Sequence, residues 1–287
     1  MATKVADIHP HIISSDTKRY PLAPLGGEQS GWSQKRPVSF EQLIAAMDRA
    51  GVDKAAIVHA STVYGYNNSY VADAVAARPD RFTGVFSVDV LAPDAPAKIR
   101  YWVGRKLSGL RLFTTGSTMP GQQPWLEDSR LIPAWECAGE MNIPICMQMT
   151  PAAIPQLEKL LKRYPKIRVI LDHLLKPGIE DGPPYPKAKF LFDLARYGNV
   201  YLKCTSRNVE EARKGKAAPE TFFARLVKEF GANRIAWGSN YPASEGALEQ
   251  FVTEVKQALA SLPQQDQDWI LHKTAQTLYP ALADPAP

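Results

Sequence analysis

Apolar positions along this chain follow two alternating periods. Short runs rich in Val, Ile, Leu and Ala are each followed by a stretch in which apolar residues recur every three or four positions. The short runs predict strands at Val5–His9, Ala55–His59, Phe82–Asp89, Leu107–Phe113, Ile143–Met149, Arg168–His173, Val200–Thr205 and Arg234–Asn240. The longer stretches predict helices at Phe40–Ala50, Tyr70–Ala77, Ala95–Val103, Leu131–Met141, Ile154–Tyr164, Lys187–Arg196 and Glu220–Phe230. Two more helical patterns, Gly246–Ala260 and Gln265–Tyr279, follow the last strand. Ser39 is placed to cap a helix, Gly51 and Gly198 to end two, and Pro144 and Pro165 to mark further stops.

Strand–helix alternation implies a parallel sheet with crossover helices. Eight such units in 287 residues predict an α/β chain folded as one (β/α)8 TIM barrel with extra C-terminal helices, a single domain over residues 1–287. A doubly wound open sheet would place a glycine-rich phosphate loop after the first strand. Asp7-Ile8-His9-Pro10-His11 stands there instead. The longest irregular stretch, Ile12–Val38, follows strand 1 and is a candidate lid over the barrel mouth; Phe113–Trp125 and Lys176–Pro186 are shorter loops on the same face.

With 45% hydrophobic and 22% charged residues, the composition excludes a disordered, collagenous or coiled-coil chain. No apolar run reaches membrane-spanning length, and the first residues lack a signal peptide's apolar stretch. Three cysteines, Cys137, Cys146 and Cys204, give no disulfide framework, so a cytoplasmic protein is expected. Lys and Arg number 34 against 29 Asp and Glu, but the surplus is scattered, which argues against nucleic acid and suits a small anionic substrate. A homodimer is compatible with such a barrel, though no exposed stripe demands one.

Barrel enzymes place their chemistry at the C-terminal ends of strands. Read in order, those ends carry His9 and His11, His59, Asp89, Arg111, Gln148, His173, Lys203 and Asn240. In extended backbone His9 and His11 project to one side and, with His173, make a candidate site for a divalent metal or a set of substrate-orienting imidazoles. Arg111 offers two parallel donors to a substrate carboxylate, or pairs with a barrel carboxylate such as Asp7 or Asp89. Lys203, between apolar neighbours, is a candidate to neutralise a carboxylate or polarise a carbonyl, and Gln148 and Arg207 are further substrate contacts. Tyr64, Tyr66, Asn68 and Tyr70 read first as loop packing. The thiols of Cys146 and Cys204 read as small buried apolar groups.

Asp7-Ile8-His9-Pro10-His11, Leu171-Asp172-His173 and Trp237-Gly238-Ser239-Asn240-Tyr241-Pro242 resemble motifs of the amidohydrolase superfamily. With Gly109-Leu110-Arg111-Leu112 and Thr274–Pro280, the resemblance covers nearly the whole chain. It is greatest to the amidohydrolase-related branch and its sugar-lactone and 2-pyrone-4,6-dicarboxylate lactonases. It implies ring-opening hydrolysis of a lactone, in some members without metal. The family's strand-8 motif usually ends in an aspartate that serves as general base, whereas here the position is Asn240, and an amide takes no proton from water. Three expectations follow: a base relocated to His59, His173 or Asp89; an Asn240 that orients water or an oxyanion; or a barrel that binds without catalysis. Lacking that aspartate and a strand-5 histidine, His9, His11 and His173 are expected to hold no metal, or zinc or manganese only weakly. The favoured expectation is a hydrolase for a small carboxylated lactone; the rival is a metal-dependent decarboxylase of an aromatic or unsaturated acid.

Overall fold

The computed structural model describes residues 4–116, 118–119 and 121–284. Eight strands form one sheet: β1 Ala6–Asp7, β2 Lys54–Val58, β3 Phe82–Phe86, β4 Leu107–Phe113, β5 Ile145–Gln148, β6 Val169–Leu171, β7 Val200–Thr205 and β8 Ile235–Gly238. They lie side by side in chain order, each parallel to the next. The seam between β8 and β1 is joined by Ile8 N donating to Trp237 O at 3.2 Å and His11 N donating to Tyr241 O at 2.8 Å. Asp7 completes it, with Oδ1 accepting from Ser239 N at 2.8 Å and His9 N at 2.9 Å. Gly238 permits this approach, since a Cβ there would lie 2.6 Å from the His9 Cβ. The fold is the predicted (β/α)8 barrel.

Small and medium side chains fill the barrel: Ala6, Ala56, Val58, Val85, Cys146, Ile170 and Ala236. Leu278, Tyr279 and Leu282 from the C-terminal segment pack into the same cluster. Tyr279 enters because β4 carries Gly109, where a Cβ would stand 2.9 Å from the tyrosine ring. A larger apolar layer lies between strands and helices. Helix Phe40–Ala50 shows how the sequence builds it: Ser39 and Gln42 form a reciprocal cap, Gly51 ends the helix at φ 68°, and Phe40, Leu43, Ala46 and Met47 are buried. Each such large apolar side chain contributes roughly 2 kcal/mol on burial.

Several strands end earlier than predicted. β3 stops at Phe86, β6 at Leu171 and β8 at Gly238, because the polar residues beyond them leave the ladder. The predicted helix Lys187–Arg196 divides into Pro186–Ala188, Lys189–Asp193 and Leu194–Arg196. Among the described residues three short α-helices were not predicted: Gly31–Lys35 within the candidate lid, Ser61–Tyr64, and Ser206–Glu211. Among the described residues no helix is long and apolar enough to cross a membrane.

Candidate active site

The strand ends open into a cavity of about 210 Å³ whose walls include His11, His59, His173, Arg111, Gln148, Arg207 and Asn240. Trp32 and Ser30, from the Ile12–Val38 segment, complete its rim. The Trp32 ring lies 5.2 Å from that of His11, and Ser30 Oγ is tied to Thr62 Oγ1 at 2.8 Å.

Neighbouring oxygens assign the imidazole protons. Val58 O only accepts, so the 2.8 Å bond from His11 Nδ1 fixes the proton there and leaves Nε2 as a lone pair. Gly65 O binds His59 Nε2 at 2.8 Å, which leaves Nδ1 as that ring's lone pair. His173 Nδ1 meets Thr205 Oγ1 at 2.9 Å. The Thr205 hydroxyl in turn donates to Asn208 Oδ1 at 3.1 Å, an amide oriented by Thr205 N and by its own donation to His173 O. Threonine therefore accepts from His173, whose Nε2 stays unprotonated. His9 is wholly buried, its ring 5.0 Å from His11 and 4.8 Å from His173, and neither of its nitrogens has a hydrogen-bond partner among the described residues.

Burial, reinforced by nearby cations, keeps all four rings neutral. His11 and His173 are each lowered to about 3 and His59 to about 4, while His9 lies well below the usual imidazole value. Desolvation leads in each, and the Arg111 guanidinium adds to all four.

His173 occupies a strained backbone. It and Leu174, Leu175 and Lys176 take φ values of 52–57°, a left-handed turn of four non-glycine residues. Burial of Leu174 and Leu175 and the Asn208 bond to His173 O hold it in place.

The cations divide into two kinds. Arg111 donates through Nε to Asp172 Oδ2 at 2.8 Å and through Nη2 to Gln148 Oε1, and Lys203 Nζ lies 2.8 Å from Asp172 Oδ1. Burial alone would raise Asp172, but these two cations hold it well below the usual carboxylate range. Arg111 still lines the cavity, whereas Lys203 is wholly buried and does not. Arg207, exposed at the rim, has no ion pair among the described residues. The partner of Arg111 is thus neither Asp7 nor Asp89, and Lys203 faces a protein carboxylate. Asp89 is exposed and lines a neighbouring cavity apart from the histidines.

Asn240 sits at the mouth with φ 57°. Ser206 commits its hydroxyl proton to Ser239 O at 2.8 Å, so the 2.9 Å Ser206–Ser244 contact uses the Ser244 proton. Ser244 must then accept from Asn240 Nδ2, at 2.9 Å, and Asn240 Oδ1 remains as an acceptor.

Asp172 lies within the Leu171-Asp172-His173 motif, and nothing in the motif itself marks its carboxylate as the partner of both cations. Two cations inside a barrel demand a counter-charge, and that was the available signal for Asp172. Trp32 had no sequence signal, because its stacking depends on the loop path. Tyr64 and Tyr70 pack as expected, accepting from Ser14 N at 2.7 Å and Phe40 N at 2.9 Å.

For a divalent metal, the donor chemistry fits. His9 has two unpartnered nitrogens, and His11 and His173 present Nε2 with Nδ1 anchored, as metal-binding histidines do. Among the described residues, however, no group of three His, Cys, Asp or Glu side chains stands at ligand spacing. The carboxylate of Asp172 is already paired.

The amidohydrolase family profile matches residues 6–281. An L-fucono-1,5-lactonase from Burkholderia ambifaria is 29% identical over 72% of this chain and 70% of its own. A 4-sulfomuconolactone hydrolase from Rhizobium radiobacter is 25% identical over 74% and 71%. Among solved structures, a Pseudomonas putida protein described as a candidate 2-pyrone-4,6-dicarboxylic acid hydrolase superposes with a TM-score of 0.78 at 20% identity, covering 99% of this chain and 100% of that one. A zinc-bound amidohydrolase from Burkholderia multivorans gives 0.76 at 17%, covering 96% and 99%. At these identities the structures bear on the fold alone. With the barrel, the strand-end histidines and a match over nearly its full length, this chain belongs to the amidohydrolase family.

Proposed function

We propose that this protein opens a small carboxylated lactone by hydrolysis at the barrel mouth. The observation that carries the reading is the arrangement of three cavity-lining histidines, each with one nitrogen anchored and one lone pair left, beside Arg207, which has no ion pair among the described residues. The two lactone-hydrolysing relatives support the bond type.

Arg207 binds the substrate carboxylate through charge-assisted hydrogen bonds. Asn240 Oδ1 accepts one hydrogen of a water molecule, and His173 Nε2 takes the other as the oxygen attacks the lactone carbonyl. The resulting oxyanion faces the positive field of Arg111, and collapse breaks the ring C–O bond. The departing alkoxide recovers the proton from His173, giving an open hydroxy acid. His173 alone is a weak base, but the substrate carboxylate and the developing oxyanion offset the arginine charges and raise its proton affinity. Asp172, itself paired with Lys203, holds Arg111 in place from below.

A divalent ion would draw on the lone pairs of His9, His11 and His173, which would have to close to ligand spacing around it, and when bound would supply Lewis-acid polarisation of the carbonyl. The steps above use only the chain's own groups.

A pH-indicator screen over sugar lactones, muconolactones and pyrone carboxylates tests the proposal, with chelator, zinc or manganese present in parallel. Acid release with a carboxylated lactone is the expected result. Silence over the panel would overturn the reading.

A further inference from the structure

Beside the histidine-lined cavity lies a second of about 100 Å³, and Arg111 and Phe113 belong to the walls of both. Its lining is mainly apolar: Val88, Val90, Leu112 and Phe113 are each at most 4% exposed. The roof is pinned by two donors on one carbonyl, Gln122 Nε2 at 3.1 Å and Trp125 Nε1 at 2.9 Å from Phe113 O. That orientation leaves Gln122 Oε1 buried with no hydrogen-bond partner among the described residues. Asp89 enters the same cavity, where Oδ1 accepts from Leu91 N at 3.1 Å and no cation pairs with the carboxylate among the described residues. The one cation in the wall, Arg111, is engaged by Asp172 and Gln148.

We infer that this side cavity is a specificity subsite for a lactone substituent with an apolar body and a hydroxyl at its tip; the inference rests on the lactonase reading. The apolar walls favour burial of the body. A hydroxyl donates to the accessible Asp89 carboxylate, a bond that a plain hydrocarbon does not make, and polar sites discriminate on that ground. A second carboxylate is repelled by Asp89. The two cavities thereby fix substrate direction, with the anionic end toward Arg207 and the hydroxylated end toward Asp89.

The experiment compares paraconate, a carboxylated γ-butyrolactone, with its phenyl and hydroxyphenyl derivatives. Both kcat/KM and calorimetric Kd are measured for the wild type, Val90→Phe and Asp89→Ala. In the wild type we expect kcat/KM to rise about tenfold on adding phenyl and further on adding the hydroxyl. Val90→Phe fills the cavity and brings the phenyl-to-parent ratio toward one. Asp89→Ala, at an exposed position that does not threaten folding, removes the hydroxyphenyl advantage over phenyl. Hydrolysis of all three at equal kcat/KM, or ratios unchanged in both variants, would overturn the subsite while leaving lactone hydrolysis standing. Tight binding of the hydroxyphenyl compound that weakens in both variants, with no turnover, would keep the subsite and overturn hydrolysis. Neither binding nor turnover would overturn both.

Discussion

Asp172 bridges Lys203 and Arg111, with 2.8 Å from Oδ1 to Lys203 Nζ and 2.8 Å from Oδ2 to Arg111 Nε, all three side chains buried. One carboxylate thus holds two cations under the candidate catalytic cavity. Removing it leaves both charges uncompensated in a low-dielectric interior. Asp172→Ala should therefore cost roughly 3–5 kcal/mol of unfolding free energy, measured by urea denaturation. A loss under about 1 kcal/mol would show that the bridge has no structural role.

The buried histidines make stability depend on pH. Their folded values, about 3 for His11 and His173, about 4 for His59 and lower than usual for His9, lie below the unfolded value of 6.5. Their contribution is complete above pH 6.5 and is lost as pH falls, because the unfolded chain takes protons that the folded chain refuses. At pH 5 the loss is about 2 kcal/mol for each of His11, His59 and His173, and His9 adds to it in the same direction. Asp7 runs the other way: burial raises it from 3.8 to about 6, so its contribution is complete below 3.8 and is lost as pH rises through 6. Four histidines outweigh one carboxyl. Denaturant midpoints should fall from pH 7.5 to 5, and more steeply in Asp7→Asn.

The same imidazoles govern the rate profile of the free enzyme. Because His173 must be neutral to accept a proton, the acid limb of kcat/KM should lie below pH 5, well under the usual histidine value. Initial rates with a carboxylated lactone across pH 4–8 measure it. An inflection near 6.5 would place the base in a solvated position instead.

Arg207 lines the mouth with no ion pair among the described residues, so Arg207→Ala should raise KM for carboxylated lactones by about tenfold or more, the scale of one charge-assisted hydrogen bond. The corresponding methyl esters should change by less than about twofold. Equal effects on acid and ester would argue against a carboxylate anchor.

Asn240→Asp places a carboxylate among imidazoles that already present lone pairs. Zinc affinity, measured by calorimetry, should rise by at least about tenfold. An unchanged affinity would remove Asn240 from any metal-binding position.

Much of the barrel was legible because both periods are strong. β4 and β7 and helix Phe40–Ala50 match their predicted bounds, and the other strands differ mainly at their ends. Ser206–Glu211 escaped because six residues are too few to show a helical period, although Thr205 and Asn208 cap it. The strand-end histidines were legible from position. Their tautomers were not, since those depend on Val58, Gly65 and Thr205, which the chain brings to them from other segments. Lys203 was visible as a buried cation, but its partner is 31 residues away across the β6–β7 pair.

The most direct test of the central claim is turnover of a carboxylated lactone in ¹⁸O-labelled water, followed by mass spectrometry of the product. Water attack on the carbonyl predicts one heavy oxygen in the newly formed carboxylate, no carbon dioxide, and loss of the reaction in His173→Ala with the fold retained. Release of carbon dioxide, or a bound lactone recovered unopened, would contradict it.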